Sequence, residues 1–441
     1  MPTRYNGAHP SKGMQMSNIA QVAATMKLES PVMAATSLEM RNDALAGIRD
    51  ALLAHKEQIF AANAADLAAA EESGVAAPIV KRLKFNEEKL QGVCDGIGDL
   101  IGLPDPVGRL QLRRELDEGL VLERRAVPIG VIGVIFEARP DALVQISTLC
   151  LKSGNCAILK GGSETMRTNK ALFEVIHAAA VEAGLPESCL HQVEAREEIG
   201  ELLACDESVD LLIPRGSNAF VRYIMDNTRI PVMGHADGIC HVYVDRDADV
   251  QKAVAVVVDA KTQYVAVCNA VETLLVDRAG AETLVPALVD ALKAAGVEVR
   301  GDAEVQALAD CVPATDEDWD TEYLSLVISV KVVGGVDEAI EHINKHGSHH
   351  TDAIVTENAQ TAARFQQLVD SAGVYWNCST RFADGFRYGF GAEVGISTSK
   401  LHARGPVGLD GLVTYKYWLA GNAHVVADYA SGAKSFHFRD L

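Results

Sequence analysis

The chain has 441 residues, of which 48% are hydrophobic and 23% charged, and its formal net charge at pH 7 is −20. This composition is typical of a globular protein long enough for two or three lobes. The acidic balance argues against a nucleic-acid or anionic-membrane surface, because both require clustered Lys and Arg side chains.

The N-terminal quarter is predicted to be helical. Residues 1–17 are polar and predict a disordered extension. From there to Leu103 the apolar residues recur at helical spacing, and Pro104-Asp105-Pro106 ends the pattern. We see no secretory signal and no apolar span long enough to cross a bilayer, so we expect a cytoplasmic protein without a membrane segment.

Residues 111–127 alternate leucines with charged residues around a turn at Asp117-Glu118-Gly119. This pattern predicts an exposed charged hairpin. Two interpretations stay open: a plain surface hairpin, and an arm that reaches another subunit. A strand is also predicted near the C-terminus, over Leu412–Leu419, and it is a candidate to pair with the hairpin.

From Pro128 the pattern changes to short apolar strands separated by helices, which predicts parallel sheets covered on both faces. The first series of strands is Ile129–Phe136, Cys156–Lys160, Asp210–Ile213 and Ile239–Val244. The second series is Val271–Val276, Leu324–Val333 and Thr351–Thr356. The predicted fold class is therefore α/β, with two parallel-sheet lobes, one for a cofactor and one for catalysis, and a β-hairpin arm.

Cys268 lies in a short loop between a helical run that ends near Gln263 and the strand that begins at Val271. Loops on a rigid frame carry reactive groups, and a thiolate there can attack an acyl or aldehyde carbon. The competing interpretation is a small, buried apolar cysteine.

Two glycine turns follow strands and open helices, Lys160-Gly161-Gly162-Ser163 and Gly216-Ser217. Such turns bring backbone N–H groups close to a ligand, although simple turns and N-cap serines look the same in a sequence. The histidines of His342–Asp352 lack a metal-ligand spacing, and the nine cysteines include no CxxC pair. We therefore predict no metal site.

Five stretches together resemble one family: Pro128–Asp141, Ile158–Glu164, Ile213–Asn218, Lys261–Thr273 and His346–Ile354. They look like those of the gamma-glutamyl phosphate reductases, also called glutamate-5-semialdehyde dehydrogenases, a branch of the aldehyde dehydrogenase superfamily. The resemblance covers the chain from about residue 18 onwards. The most specific parts are HGSHHTDAI and the KTQ…VCNA…ET block.

The resemblance implies that Cys268 is the nucleophile, with Asn269 as a secondary catalytic candidate. Arg139 stands where hydrolytic relatives have an oxyanion asparagine, and residues 234–237 lack their water-activating glutamate. Both departures suit an enzyme that handles an acyl phosphate and must not hydrolyse a thioester. Tyr264-Val265-Ala266 departs from the Arg-Pro-Gly expected in this branch.

The resemblance also assigns ligand-binding residues. Ser163 replaces a glutamate of NAD-using relatives, which favours NADPH over NADH, while the neighbouring Glu164 counts against that preference. The implied cofactor residues are Lys160, Gly162, Ser163, Gly216, Ser217 and Glu322. The implied substrate residues are Glu137, Arg381, Asp384, His350 and Asp352. Surface salt bridges are the competing role for Arg381 and Asp384.

The implied reaction is the NADPH-dependent reduction of L-glutamyl 5-phosphate to L-glutamate 5-semialdehyde and phosphate through a Cys268 thioester, the second step of proline synthesis. The implied partners are this small-molecule substrate, a glutamate 5-kinase and further copies of the chain, at least in a dimer. The implied domains are a cofactor-binding domain (18–110 and 128–260), a catalytic domain (261–405) and an oligomerisation arm (111–127 and 406–441).

Two alternatives stay open. One is an oxidising or CoA-acylating aldehyde dehydrogenase, against which count the missing water base and the absence of a basic CoA surface. The other is a non-catalytic dinucleotide-binding scaffold, which only the unusual loop at Tyr264–Ala266 favours.

Overall fold

The computed structural model of the protein describes residues 18–137, 139–194, 198–234 and 237–441, so the predicted extension at residues 1–17 lies outside the described part. The chain divides into two compact units. The first holds residues up to Cys94 together with Pro128–Leu212 and Asn227–Pro231; the second holds Asp95–Val127, Ile213–Asp226 and Val232–Leu441. None of the helices in the described ranges combines the length and apolarity needed to span a membrane.

The predicted N-terminal helical region is confirmed. It consists of α1 (Asn18–Ala34), α2 (Leu38–Ala54), α3 (Lys56–Glu72), α4 (Ala77–Leu83) and α5 (Glu87–Gly102). Buried Asn63 of α3 fixes the chain after α4, because its Nδ2 donates to Leu83 O at 2.8 Å and its Oδ1 accepts from Phe85 N at 2.9 Å. The predicted hairpin follows as β1 (Leu110–Asp117) and β2 (Leu120–Pro128), which pair antiparallel.

The first parallel sheet has the strand order β5-β4-β3-β6. Every residue of β3 and β4 is buried, which is why both strands are continuously apolar in the sequence. The short strand β5 and the helix α8 were not predicted. The elements are β3 (Val131–Phe136), α6 (Pro140–Lys152), β4 (Cys156–Lys160), α7 (Met166–Glu182), β5 (Leu190–Val193), α8 (Glu198–Leu203), β6 (Leu211–Arg215) and α9 (Asn218–Asp226).

The second sheet has seven strands in the order β10-β9-β11-β8-β7-β12-β13. Its elements begin with β7 (Cys240–Val244), α10 (Val250–Thr262), β8 (Val271–Asp277), α11 (Ala281–Ala294), β9 (Glu298–Gly301) and α12 (Ala303–Leu308). They continue with β10 (Val312–Pro313), β11 (Val327–Val333), α13 (Val336–His346), β12 (Thr351–Val355), α14 (Ala359–Leu368) and β13 (Gly373–Trp376).

One strand differs from the prediction in its sheet. The sequence pattern grouped Ile239–Val244 with the first series, but β7 pairs with β8 and β12 in the second sheet. Val242 and Val244 of β7 pack in the core that the second sheet forms with α10 and α11. An apolar strand carries no signal for which sheet it joins, because its order in the chain does not fix its neighbours.

The C-terminal segment completes a separate small sheet. It contains β14 (Gly395–Ser397), β15 (Gly405–Val407), β16 (Val413–Ala420), α15 (Val426–Ala430) and β17 (Arg439–Asp440). The predicted C-terminal strand is confirmed as β16, and it joins the hairpin in the order β16-β2-β1-β17. We call this four-stranded sheet the arm. Residues 414–420 of β16 are all exposed, so both faces of this edge strand are uncovered in the monomer.

Candidate active site

The loop that carries Cys268 connects the end of α10 to the start of β8, the central strand of the second sheet. Cys268 is partly exposed, whereas Cys150, Cys156, Cys189 and Cys240 are buried. Burial raises the pKa of Cys150, Cys156 and Cys189 to about 12, so these thiols are unreactive near neutral pH. Accessibility thus sets Cys268 apart from the buried cysteines.

The backbone of Cys268 packs against two residues of the segment that leads into β7. Cys240 Sγ donates to Cys268 O at 3.2 Å. Gly238 lies so close that a Cβ on it would stand 2.3 Å from Cys268 O and 2.4 Å from Cys268 Cα. The position of the sulfur is therefore fixed by close packing behind it.

His350 is the side chain that contacts the Cys268 sulfur. Its Nε2 lies 3.2 Å from Cys268 Sγ, and its Nδ1 lies 2.9 Å from Thr351 Oγ1 at the start of β12. The ring is 1% exposed, so its orientation is set by packing. The family resemblance assigned His350 to the substrate, and the structure places its ring at the Cys268 sulfur.

Asn269 fastens the Cys268 loop to the segment after β13. Its Nδ2 donates to Ala383 O at 2.8 Å, and its backbone O accepts from Thr380 Oγ1 at 2.7 Å. Its Oδ1 is buried without a hydrogen-bond partner among the described residues. A buried amide oxygen of this kind costs free energy, and it is the type of group that a bound ligand can satisfy.

Arg381, predicted from the sequence, lies beside this loop. It is 8% exposed and its Nε donates to Gln263 Oε1 at 3.0 Å. Burial lowers the pKa of Arg381, the positive charge of Arg387 lowers it further, and acidic groups such as Asp384 oppose this only in part. The guanidinium therefore lies at the start of the loop that carries Cys268, where Gln263 holds it.

Asp384 has a local structural role in the same segment. Its Oδ1 accepts from the backbone N–H groups of Phe386 and Arg387, both at 3.1 Å. Arg387 in turn donates from Nη1 to Arg381 O at 2.9 Å. Arg387 and Gln263 were not predicted; two arginines six positions apart were the available signal for a cationic loop.

Asp352 is engaged within the protein. It is fully buried; its Oδ1 accepts from His241 N at 2.7 Å and lies 3.0 Å from His241 Nδ1, and its Oδ2 accepts from Ser371 Oγ. These contacts join β12 to β7. They give the carboxylate a structural role, and a direct contact with substrate stays a prediction.

Glu322 and the Gly216-Ser217 turn come together through Asn218. Its Nδ2 donates to Glu322 Oε2 and to Asp237 Oδ1, both at 2.7 Å. Glu322 also precedes Tyr323, whose hydroxyl donates to Asp318 at 2.6 Å. In the sequence Asn218 is only the last residue of a motif, and nothing local to it signals this bridging role.

Asp318 fixes the loop that carries Glu322. Burial alone would raise the pKa of Asp318, but hydrogen bonds from Tyr323, Thr315 and Arg300 outweigh burial and hold that pKa at about 2. The carboxylate is therefore ionised and fully engaged at neutral pH.

The other predicted residues lie in the first unit. Lys160, the last residue of β4, is 5% exposed and donates from Nζ to Gly161 O at 2.6 Å. A Cβ on Gly162 would stand 2.2 Å from Glu164 Oε1, so the Glu164 carboxylate folds over this glycine. Ser163 is exposed. Glu137 and Arg139 are exposed at the end of β3, on either side of Ala138, which lies outside the described residues.

Comparisons with known proteins agree on one family. Residues 8–309 match the sequence model described as the aldehyde dehydrogenase family. A gamma-glutamyl phosphate reductase from Pelotomaculum thermopropionicum is 59% identical over 421 residues, which are 96% of this chain and 97% of the relative. The crystal structure of gamma-glutamyl phosphate reductase from Thermotoga maritima is 41% identical and superposes with a TM-score of 0.91, covering 93% of this chain and 100% of that one. The chain belongs to the gamma-glutamyl phosphate reductase family.

The predicted fold class is thereby confirmed for this member of the gamma-glutamyl phosphate reductase family. An acetylating aldehyde dehydrogenase from Geobacillus thermoglucosidasius shares the fold at 16% identity, with a TM-score of 0.63 over 92% of this chain and 97% of that one. Such a distant likeness concerns the fold alone.

The KTQ…VET motif of this gamma-glutamyl phosphate reductase family member forms a buried ion pair. Lys261 and Glu272 are both fully buried, and Lys261 Nζ donates to Glu272 Oε2. Burial raises the pKa of Glu272 to about 7, against the charge of Lys261. Replacing one partner would leave an uncompensated charge beneath the loop.

Proposed function

We propose that the chain reduces L-glutamyl 5-phosphate to L-glutamate 5-semialdehyde and inorganic phosphate with NADPH. The observation that carries this proposal is a partly exposed Cys268, in contact with His350, in a chain that is 59% identical along nearly its whole length to a gamma-glutamyl phosphate reductase. The reaction is the reductive step of proline synthesis from glutamate.

Cys268 is the proposed nucleophile. Its sulfur attacks the acyl carbon, phosphate leaves, and a thioester remains. The thioester must survive until it is reduced, so water must not be activated beside it. Asp237 is close in the sequence to the position of the water-activating glutamate of hydrolytic relatives. Both oxygens of its carboxylate are engaged, one by Arg222 and the other by Asn218. This engagement supports a reductase over a hydrolytic aldehyde dehydrogenase.

Each of the two units contains proposed cofactor residues of the kind that bind a nicotinamide dinucleotide. In the first, Lys160 and a glycine turn stand at the end of a parallel strand, the usual place for a ribose or phosphate, and the Glu164 carboxylate that covers Gly162 would have to move for a ligand to reach that glycine. In the second, Asn218 holds Glu322 beside the Gly216-Ser217 turn, where a ribose hydroxyl would bind. When bound, NADPH supplies the hydride for the thioester.

The preference for NADPH over NADH rests on Ser163 and is opposed by Glu164. A carboxylate beside the 2′-phosphate would repel it. We therefore expect Glu164→Gln to raise kcat/KM for NADPH relative to NADH, as measured by initial rates with both cofactors. If the ratio of kcat/KM for NADPH to kcat/KM for NADH is unchanged, Glu164 does not act on the bound cofactor.

The proposed substrate site has cationic and polar parts. Arg381, with Arg387 behind it, is suited to the anionic groups of glutamyl phosphate, and Asn269 Oδ1 is a free acceptor for an N–H donor. Arg139 is proposed to stabilise the oxyanion or the departing phosphate. For the substrate amino group, Glu137 and Asp384 are the proposed acidic partners.

We also propose that the arm forms the interface between copies of the chain. Tyr415, Tyr417, Trp418 and Leu419 of its edge strand are 49–58% exposed in the monomer. Exposed aromatic side chains on an unpaired edge invite pairing with another chain. Trp418→Glu should lower the mass measured by light scattering; an unchanged mass would place the interface elsewhere.

The remaining assignments are a cytoplasmic location and a glutamate 5-kinase partner, since such a kinase would supply a short-lived acyl phosphate. Direct transfer predicts that a coupled kinase–reductase assay loses flux when a dialysis membrane separates the two proteins. Equal flux beyond the diffusion delay would refute that partnership.

The deciding experiment is the reverse reaction, phosphate-dependent reduction of NADP⁺ with glutamate 5-semialdehyde. Wild type and Cys378→Ala, which alters another partly exposed cysteine, should be active, and Cys268→Ala should be inactive. Activity without phosphate would indicate a hydrolytic aldehyde dehydrogenase, and activity that requires CoA would indicate an acylating one. NADPH binding without any activity would indicate the scaffold.

A further inference from the structure

We propose that His350 is a catalytic residue that carries the proton of the Cys268 thiol to the leaving phosphate. The inference rests on the proposed function and deepens it. Its basis is the contact of 3.2 Å between His350 Nε2 and Cys268 Sγ, in a ring that is 1% exposed.

The second ring nitrogen explains how the ring can do this. His350 Nδ1 lies 2.9 Å from Thr351 Oγ1, and a hydroxyl can accept as well as donate. When Nδ1–H donates to Thr351, Nε2 is an acceptor aimed at the thiol. When the ring is protonated, Nδ1–H still donates to Thr351 and Nε2–H donates to the thiolate. One geometry therefore serves both protonation states.

Other ionisable groups near the loop are already engaged. Asp352 is bonded to His241 and Ser371, and Asp384 caps its own turn. Cys240 donates to Cys268 O, and burial raises its pKa far above its usual range. The charged groups that act on Arg381 or Cys240, the neighbours of the loop, include Arg387, Asp352, Asp384, Lys261 and Glu272. The position of the ring at the sulfur itself favours His350 over each of them as the base.

The proton balance then closes. The thiol proton passes to Nε2 while the sulfur bonds to the acyl carbon, and Nε2–H returns that proton to the phosphate oxygen as the C–O bond breaks. After hydride transfer, the ring, reprotonated from solvent, gives a proton to the thiohemiacetal oxygen. The C–S bond then breaks as the hydroxyl proton moves through the ring to the sulfur, which restores the thiol.

The test compares His350→Gln with His349→Gln. The adjacent His349 is a matched control, because its Nδ1 bonds to Asp370 O at 2.7 Å, away from the sulfur. We expect His350→Gln to lower kcat by roughly 10²- to 10⁴-fold, the usual range for loss of a general acid–base group, with KM much less changed. His349→Gln should keep wild-type kcat.

Alkylation of Cys268 by iodoacetamide gives a readout without substrate or cofactor. In His350→Gln the rate near pH 6.5 should fall at least tenfold, and its pH profile should lose the inflection that the histidine causes. If His350→Gln keeps both the wild-type alkylation profile and kcat, the inference is wrong. If alkylation depends on His350 but the reverse reaction fails in wild type, the proton pair stands and the proposed function fails.

A measurement on the wild type covers the case in which His350→Gln does not fold. The NMR signals of the His350 ring should change once Cys268 is alkylated, because Nε2 lies 3.2 Å from the sulfur that is modified. Ring signals that alkylation leaves unchanged would overturn the inference.

Discussion

Replacing Gly238 with alanine tests whether the position of the Cys268 backbone limits catalysis. The added Cβ would stand 2.3 Å from Cys268 O, 2.4 Å from its Cα and 2.6 Å from its Cβ, and ordinary contact begins at 3.4 Å. The Cys268 backbone or the segment around Gly238 must therefore move by about 1 Å. A displacement of that size in a catalytic group costs on the order of 10²-fold in rate.

Stability should suffer less than activity. Overpacking of this kind costs about 1–3 kcal/mol, so the variant should fold and still bind the cofactor. The assays are steady-state kinetics of the reverse reaction, iodoacetamide labelling of Cys268 and thermal melting. Gly92→Ala is the control, since Gly92 is an exposed position in α5 with no atom within 4 Å of the added Cβ. That variant should gain up to about 1 kcal/mol in stability and keep its rate.

The reasoning is refuted if Gly238→Ala keeps kcat within about threefold while its melting temperature falls, because the 10²-fold estimate for a 1 Å displacement would then not apply to this loop. Equal losses of activity in both glycine variants would equally refute a local cause.

Two further predictions concern residues outside the nucleophile's loop. Asn218→Ala removes a hydrogen-bond donor from Glu322 and from Asp237. The KM for NADP⁺ should therefore rise roughly tenfold, with the melting temperature little changed. A KM at the wild-type value would show that Glu322 does not need Asn218 to bind the cofactor. Burial lowers the pKa of His342 from 6.5 to about 2, so the folded protein keeps this ring neutral while the unfolded chain takes up a proton below pH 6.5. The contribution of His342 to the free energy of unfolding is therefore complete above pH 6.5 and falls by about 1.4 kcal/mol per pH unit as the pH drops towards 2. In urea titrations near pH 5 and pH 7, His342→Leu should lose this dependence of the free energy of unfolding on pH. Parallel pH dependence of wild type and variant would contradict the assigned cause.

The fold was predictable where the hydrophobic pattern determines it. Cys156–Lys160 is predicted and found with identical bounds, because a short apolar run between helices has few alternatives to a buried strand. The sheet partner of Ile239–Val244 was not predictable, since β7 takes its neighbours from β8 and β12, later in the chain. Glu298–Gly301 was missed because four residues give no periodicity.

The site divides in the same way. The loop and its motif single out Cys268 from the order of residues alone. The contact between His350 and the sulfur spans 82 positions, and no local pattern encodes it. Asp352 shows the complementary case: its motif suggests a ligand role, which stays a prediction, and the fold adds contacts with His241 and Ser371 that the sequence does not indicate. A sequence motif shows which residue types are present, whereas the order of the strands in the sheet determines which of those residues lie close together.

The wide separation of these contacts has a consequence for synthesis on the ribosome. Asn269, next to Cys268, is held by groups 111 and 114 positions further along the chain. A nascent chain that has emerged only as far as β8 therefore exposes an unfastened thiol with no histidine beside it. The environment of the thiol is complete only after the segment following β13 has been translated. Labelling Cys268 in stalled chains of increasing length would therefore show at which chain length the thiol acquires the reactivity it has in the mature protein.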